Sequence, residues 1–485
     1  MNHSQKPLSP NLEENVQAVL AALHHSSDLI VREFAADMGE KKRVAVLFIE
    51  GLVNIAEINE RIIHTLMFRM ADYENVSWTD SSNCPQLPLP VASLLLVHDI
   101  QSLIGSILRG QAIILLDGWQ TGFAADTGDI EDRGIEKPSS QTVIRGPQES
   151  FTETLQTNLA LIRKRLSSAD LIVTKQVLGH VTQTKVSVVY LKDTADRDVV
   201  QEVFRRIGRI NLDGVLEGSY IEEFIQDSKY SPFPTVLNTE RPDTTVAGLL
   251  EGKVVILVDG SPFVLMVPCL FDTFLHSAED HYQRWTYILT RPMRFVSYFY
   301  SLLAPALYIA ITTFHQEVLP PSLLISLSAQ REGVPFPAFF EALIMIAAFE
   351  LLNEAGVRMP RAVGSAISIV GAIVLGQAAV EAGFVSAAMV IIVSSTAISN
   401  FIIPSIEAAV PIRLLRYAFM TAAAFMGMYG LYVAVMAMLL HLSSLRSFGV
   451  PYMSPIAPLR REDIKDSLIR LPLWSRRSTT QQPKR

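Results

Sequence analysis

Five long apolar stretches fill the chain beyond Arg294, at roughly 295–314, 336–356, 362–380, 384–403 and 414–441. Each approaches or exceeds the ~20 residues that a helix needs to cross a ~30 Å hydrocarbon core. Because backbone groups find no water in that core, a chain crosses it as helices or as a closed barrel. The expectation is an all-α transmembrane domain over 295–442 with a soluble region before it. Charge is spread through residues 1–294 and nearly vanishes afterwards, so Arg294 marks the boundary. The tail, 443–485, regains Arg446, Arg460, Arg461, Arg470, Arg476 and Arg477 with several prolines, and reads as a short, polar, partly flexible cytoplasmic segment.

The two ends of the membrane domain pull the topology the same way. Arg284, Arg291 and Arg294 ahead of the first stretch argue for a cytoplasmic start, and the arginine-rich tail argues for a cytoplasmic end. Five full crossings cannot satisfy both. The stretch 336–356 is the candidate for a re-entrant or interfacial segment, since it carries Glu341, Glu350, Asn353 and Glu354, yet Arg358 and Arg361 after it run against that choice. The count stays at four or five.

Hydrophobic residues at 49% and charged residues at 18% fit this division, since a soluble chain carries about a quarter charged. A net charge of −7 offers no basic footprint for nucleic acid. The first residues, MNHSQKPLSPNLEENV, lack the apolar core of a cleaved signal peptide, which leaves the N-terminal region in the cytoplasm. Cys84 and Cys269 are too few and too far apart for a disulfide framework and read as reduced thiols.

The soluble region carries a faint duplication. An offset of 142 positions places VAVLFIEGL, from Val44, on VSVVYLKDT, from Val186, and RGQAIILLDG on EGKVVILVDG. Two matches at one offset imply two related α/β subdomains, 1–142 and 143–294. Asp117–Gly118 and Asp259–Gly260 suit hairpin turns, and turn chemistry outweighs a catalytic role for either aspartate. The prolines of DGSPFVLMVP fit an edge strand or a strand end.

Patterns that would announce an enzyme are missing: GxxxxGK[ST], GxGxxG after a strand, HExxH and GxSxG do not occur. His24 and His25 sit together without ligand-spaced partners and read as a solvated helix face. No cofactor or metal is expected. The third apolar stretch places Gly364, Ser368, Ala372 and Gly376 at four-residue intervals, a ridge along which another helix can approach closely. Gln377 and Glu381 share a face near its end and are further candidates for an ion path or partner contact. Acids at membrane depth usually face a cavity or partner, which makes Glu341, Glu350 and Glu354, with Asn353 close by, candidates for an ion path or partner contact. A salt bridge from Glu354 to Arg358 is the bland alternative. Pro335 and Pro337 also suit a discontinuous helix at this point.

The chain resembles the A subunits of GerA-type spore germinant receptors over nearly its whole length. The resemblance rests on VIRGP from Val143, TNLALIRKR from Thr157, KYSPFP from Lys229, NTERPD from Asn238 and DGSPFVLMVP from Asp259. It extends through FHQEVLP from Phe314, REGVPFPAFFEAL from Arg331, GQAAVEAGFVS from Gly376, and SFGVPYMSP in the tail. It implies a non-enzymatic receptor subunit in the spore inner membrane, working with a permease-like B subunit and a lipoprotein C subunit. It also implies a homo-oligomer that forms a nutrient-gated channel and couples germinant binding to release of monovalent cations. Three rivals remain open: the A-like protein of the dipicolinate-release system, a secondary transporter, and a membrane-anchored enzyme.

Overall fold

In each half of the N-terminal region a helix feeds an antiparallel strand pair, and the strand registers of the two halves coincide. The structure is a computed structural model that describes residues 6–37, 41–69, 87, 89–91, 93–128, 137–138, 140–143, 145–281, 288–358, 376–459 and 467. β1 (Leu29–Asp37) sets Leu29 opposite Ile49 of β2 (Lys41–Ile49), as β6 (Leu171–Leu178) sets Leu171 opposite Leu191 of β7 (Thr184–Leu191). Val44 of β2 then faces Leu116 of β4 (Gln111–Leu116), as Val186 of β7 faces Val258 of β9 (Val254–Val258). The offset of 142 carries every one of these residues onto its counterpart. A one-residue slip would exchange the side chains between the two faces of each strand, so the shared register is stronger evidence of duplication than the sequence match.

With β3 (Leu94–Val97), β5 (Gly122–Asp126), β8 (Leu237–Thr239) and β10 (Val264–Val267), the sheets run β1-β2-β4-β5-β3 and β6-β7-β9-β10-β8. Alternation along β2 divides its side chains between two cores. Val44, Val46 and Phe48 pack with Ile58, Ile62 and Leu66 of a π-helical run that follows the short α2 (Ile55–Glu57). Ala45, Leu47 and Ile49 meet Leu12, Val16 and Val19 of α1 (Leu12–Ala22), and Leu103 and Ile107 of α3 (Ile100–Leu108). β10 is an inner strand, so Pro262 and Pro268 act as strand ends rather than edge markers.

The repeated Asp-Gly pairs do more than turn. Asp117 Oδ1 accepts from Leu12 N at 3.2 Å, and Asp259 Oδ1 accepts from Leu155 N at 3.1 Å at the start of α4 (Leu155–Arg165). Each aspartate thereby satisfies one of the orphan donors at a helix N-terminus, where negative charge is favoured. Gly118 and Gly260, at φ +86° and +88°, make the turn that aims them. His24 and His25 follow α1 in left-handed conformations instead of lying on it, and His24 Nε2 is 3.5 Å from Asp170.

The chain forms two compact units: residues up to Gln226 with Val236–Pro268, and Asp227–Thr235 with Cys269–Arg477. The second is helical. α8 (Thr290–Phe314), α10 (Ala338–Arg358), α12 (Ala387–Phe401) and α13 (Ile406–Ser444) account for most of the described apolar residues, with α9 (Pro321–Arg331) between α8 and α10 and a short α11 over 376–381. Two of them, α8 and α13, are long and apolar enough to cross a membrane.

α13 is a hairpin, although its 39 residues read as one helix. Phe233 lines a small apolar void with Ala408 and Pro411, near the start of α13, and its ring lies 5.9 Å from that of His441, near the end. A straight helix would hold positions 408 and 441 about 50 Å apart at 1.5 Å per residue. The reversal falls at Gly427, at φ 61° and ψ −139°. Pro335 and Pro337 lie in the break between α9 and α10, and α10 follows them as 21 unbroken residues.

The start of the tail is built in rather than flexible. β11 (Arg446–Ser447) and β12 (Val450–Pro451) pair, and Phe448 and Tyr452 are buried. Ser447 Oγ accepts from Cys269 N at 2.9 Å and donates to Thr235 O at 2.7 Å, tying the SFGVPYMSP block to the end of KYSPFP.

Candidate functional site: buried charges of the helical unit

Among the described residues, three clusters of charge sit inside the helical unit, each placed by a different set of elements. At the base of α8, Asp280 accepts from Arg291 Nε at 3.0 Å and from Arg294 Nη1 at 2.8 Å, and all three side chains are buried. Burial raises the Asp280 pKa, but the two guanidiniums outweigh it and hold the carboxyl below its usual range. Arg291 and Arg294, read from sequence as topology signals, are therefore both paired to one acid eleven and fourteen residues upstream, which leaves the cluster a single net positive charge.

The second cluster joins two of the sequence blocks. Glu341, on the first turn of α10, is fully buried, and its Oε2 accepts from Ser386 N at 2.9 Å and from Ser386 Oγ at 2.8 Å. Ser386 is the N-cap of α12 and accepts from Met389 N. Glu341 thus reinforces a helix cap from a neighbouring helix, with the charge sign that an N-terminus favours. Its Oε1 lies 3.4 Å from Arg331 Nε at the end of α9. Arg331, with Thr312, Gln316, Leu324 and Leu327, also lines a cleft of about 490 Å³.

The third cluster centres on Glu350. Arg413 Nε lies 3.7 Å from Glu350 Oε2 and Arg416 Nη1 lies 3.8 Å from Oε1. Those separations attract charge but exceed hydrogen-bond length. Arg416 is 2% exposed, donates from Nε to the Ser301 carbonyl at 3.1 Å, and leaves Nη2 buried without a hydrogen-bond partner. Glu350 is thus a half-buried carboxylate set between two arginines without a hydrogen bond to either.

The remaining sequence candidates separate. Asn353 is half-buried and Glu354 exposed on α10, one turn beyond Glu350. Gln377 Nε2 donates to Glu381 Oε1 at 2.8 Å on an exposed face. Gly376 is buried, and a Cβ there would lie 3.6 Å from Val390 of α12. Gly364, Ser368 and Ala372 lie outside the described residues, as do Cys84, Arg284, Arg361 and the arginines from Arg460 onward. Sequence reading passed over Arg331, Arg413 and Arg416. The signal was present: Arg413 and Arg416 interrupt an otherwise apolar run, and a guanidinium there requires a counterion.

Compared with known proteins, residues 17–482 match the family described as Bacillus/Clostridium GerA spore germination protein. Spore germination protein KA of Bacillus subtilis (strain 168) is 44% identical over 470 residues, which cover 96% of this chain and 86% of that protein. Spore germination protein B1 of the same strain is 38% identical, covering 98% of each. Among solved structures, the N-terminal domain of the A subunit of the Bacillus megaterium spore germinant receptor GerK3 is similar at 27% identity and a TM-score of 0.41, over 56% of this chain and 99% of that one.

Proposed function

The chain belongs to the GerA spore germination protein family, and on that premise we propose that it is the A subunit of a spore nutrient germinant receptor, coupling germinant binding elsewhere in the complex to ion release. In this reading it is a multi-pass protein of the spore inner membrane, with a cytoplasmic N-terminal region of two α/β subdomains, 1–142 and 143–294. A permease-like B subunit and a lipoprotein C subunit are its partners, and several copies form a gated cation channel.

The hairpin at Gly427 supports a definite topology. Counting the arms 406–426 and 428–444 separately turns five apolar stretches into six crossings, which returns the tail to the side where α8 begins. Ser386 beside Glu341 agrees with this, since it sets the start of α12 at the end where α10 starts.

The observation that carries the ion-coupling role is Glu350 between Arg413 and Arg416, a carboxylate at membrane depth that neither arginine hydrogen-bonds. The test is germinant-triggered potassium release from spores carrying Glu350→Gln, with subunit abundance followed by immunoblot. Release should be lost or change its ion dependence at normal abundance; unchanged release would remove Glu350 from the path.

A further inference from the structure

β1 and β6 are outer strands of sheets built alike. Ser27 N donates to the Val173 carbonyl at 2.9 Å and Val173 N donates to Ser26 Oγ at 3.0 Å, so the segment leading into β1 seals the outer edge of β6. Val31 is the counterpart of Val173 in the same register, opposite Leu47 as Val173 is opposite Val189. Its N–H and C=O therefore also turn out of the sheet, and among the described residues nothing outside the sheet bonds to them. Open backbone groups along a strand edge are a template for another chain.

The piece that would fill this edge is already formed. Leu29 N donates to Ser26 O and Glu50 N to Asp28 O; at the matching positions, Leu171 N donates to Ser168 O and Lys192 N to Asp170 O. Segment 168–170 thus repeats segment 26–28. The N–H of Ala169, the counterpart of Ser27, takes no partner among the described residues.

Charge agrees with the same contact. Inside the chain, Lys175 Nζ pairs with Glu50, and Gln156 Nε2 donates to Glu50 Oε1 at 2.6 Å. The counterparts of Lys175, Gln156 and Glu50 are Glu33, Glu14 and Lys192. Like charges there would oppose a contact, but Lys192 attracts both glutamates. It is exposed and uses one of its three donors on His24 Nδ1, at 3.0 Å. Two features do not repeat. Arg163, which clamps Asp28, has Ala21 as its counterpart, and Gly51, where a Cβ would meet the Gln156 carbonyl at 2.9 Å, has Asp193. The buried clamp is confined to the interface inside the chain, and a contact between copies is the looser of the two.

We propose that a second copy of this chain docks on the free edge of β1 through segment 168–170 and Lys192, repeating between copies the contact that joins the two halves within one. Such a head-to-tail contact uses different surfaces on the two partners and builds a ring when its rotation closes. The proposal deepens the reading above and rests on it only for the statement that copies associate.

The test co-expresses two differently tagged forms of the full chain on a Cys84→Ser background, with the buried Cys269 left in place. One form carries Glu33→Cys and the other Lys192→Cys, both at exposed positions. The complex purified in detergent is treated with a short bismaleimide, and the product carrying both tags is measured beside the particle mass from light scattering. The mixed pair should cross-link, and either form alone should lose the product. Cross-linking of the Glu33→Cys form with itself would overturn the proposal by pairing β1 with β1 of another copy. An oligomer without the mixed product would overturn the proposal and leave the channel reading standing, whereas a monomer would overturn both.

Discussion

Arg163 donates from Nε to Asp28 Oδ2 across 2.9 Å and from Nη2 to Asp28 Oδ1 at 3.1 Å, with both side chains at most 2% exposed where the two halves of the duplicated region meet. The same guanidinium donates to the carbonyls of Ser168 and Leu171, and Ser26 Oγ donates to Asp28 while accepting from Val173 N. Removing one partner strands a buried charge, which costs about 3–5 kcal/mol. Asp28→Ala should therefore raise hydrogen exchange in residues 24–28 and 163–173 together. Asp28→Leu combined with Arg163→Met should restore most of the protection, and equal exchange in the single and double variants would contradict this account.

Glu222 on α6 (Gly218–Ile225) gives the N-terminal region a pH dependence of a particular sign. Burial, with a smaller contribution from Glu217, pushes its carboxyl up to about 7. A raised carboxylate pKa contributes stability below the unfolded value near 4.5, and that stability is lost as pH rises towards 7. At 1.36 kcal/mol per unit, discounted for partial exposure, the loss is about 2 kcal/mol. Glu222→Gln should flatten unfolding midpoints between pH 5 and 8 and leave the variant the more stable protein at pH 8. A wild-type midpoint that rises over this interval in step with Glu222 titration would refute the assignment.

The duplicated sheets were legible because strand residues repeat both apolar identity and offset: Val44, Val46 and Ile114 fall on Val186, Val188 and Ile256. The aspartates of the two turns were legible as turn residues but not as helix caps, since Leu12 and Leu155 lie over a hundred positions away from them. Glu341 was legible as an acid within an apolar stretch, but Ser386 lies 45 residues further on, and sequence carries no trace of that pairing. The hairpin in α13 was hidden for another reason. Reversal at Gly427 needs one glycine with a backbone that other residues avoid, and it leaves the apolar pattern on both sides unbroken.

Arg241 shows what two of the recurring sequence blocks do for each other. Its guanidinium is paired with Asp243 at 2.7 Å and donates to the carbonyls of Gln141 at 3.1 Å and Pro147 at 2.9 Å, while Glu240 Oε1 accepts from Ser140 N and Gln141 N. The segment leading into the second subdomain is thus held by NTERPD. Lysine cannot reproduce the planar fork, and each orphaned group costs roughly 1–3 kcal/mol. Arg241→Lys should open residues 140–147 to limited proteolysis while α4 stays protected; wild-type resistance at that segment would refute the clamp.

Gly427 should tolerate no side chain. Its φ of 61° with ψ of −139° lies near the region that only glycine occupies readily, worth about 1–3 kcal/mol of strain for another residue. An added Cβ would also stand 2.8 Å from His315 Cε1 and 2.9 Å from Phe314 Cβ. The imidazole can swing, but the Phe314 Cβ is fixed on α8, so His315→Ala should relieve only part of the clash. Gly427→Ala is expected to lower the thermal midpoint of the purified chain in detergent by several degrees, and Gly427→Ala with His315→Ala to recover a minor share. Gly333→Ala, where a Cβ meets nothing within 4 Å, is the control and should leave the midpoint unchanged. If Gly427→Ala matched that control, α13 would not need to reverse at this residue, and the six-crossing topology would lose its physical basis.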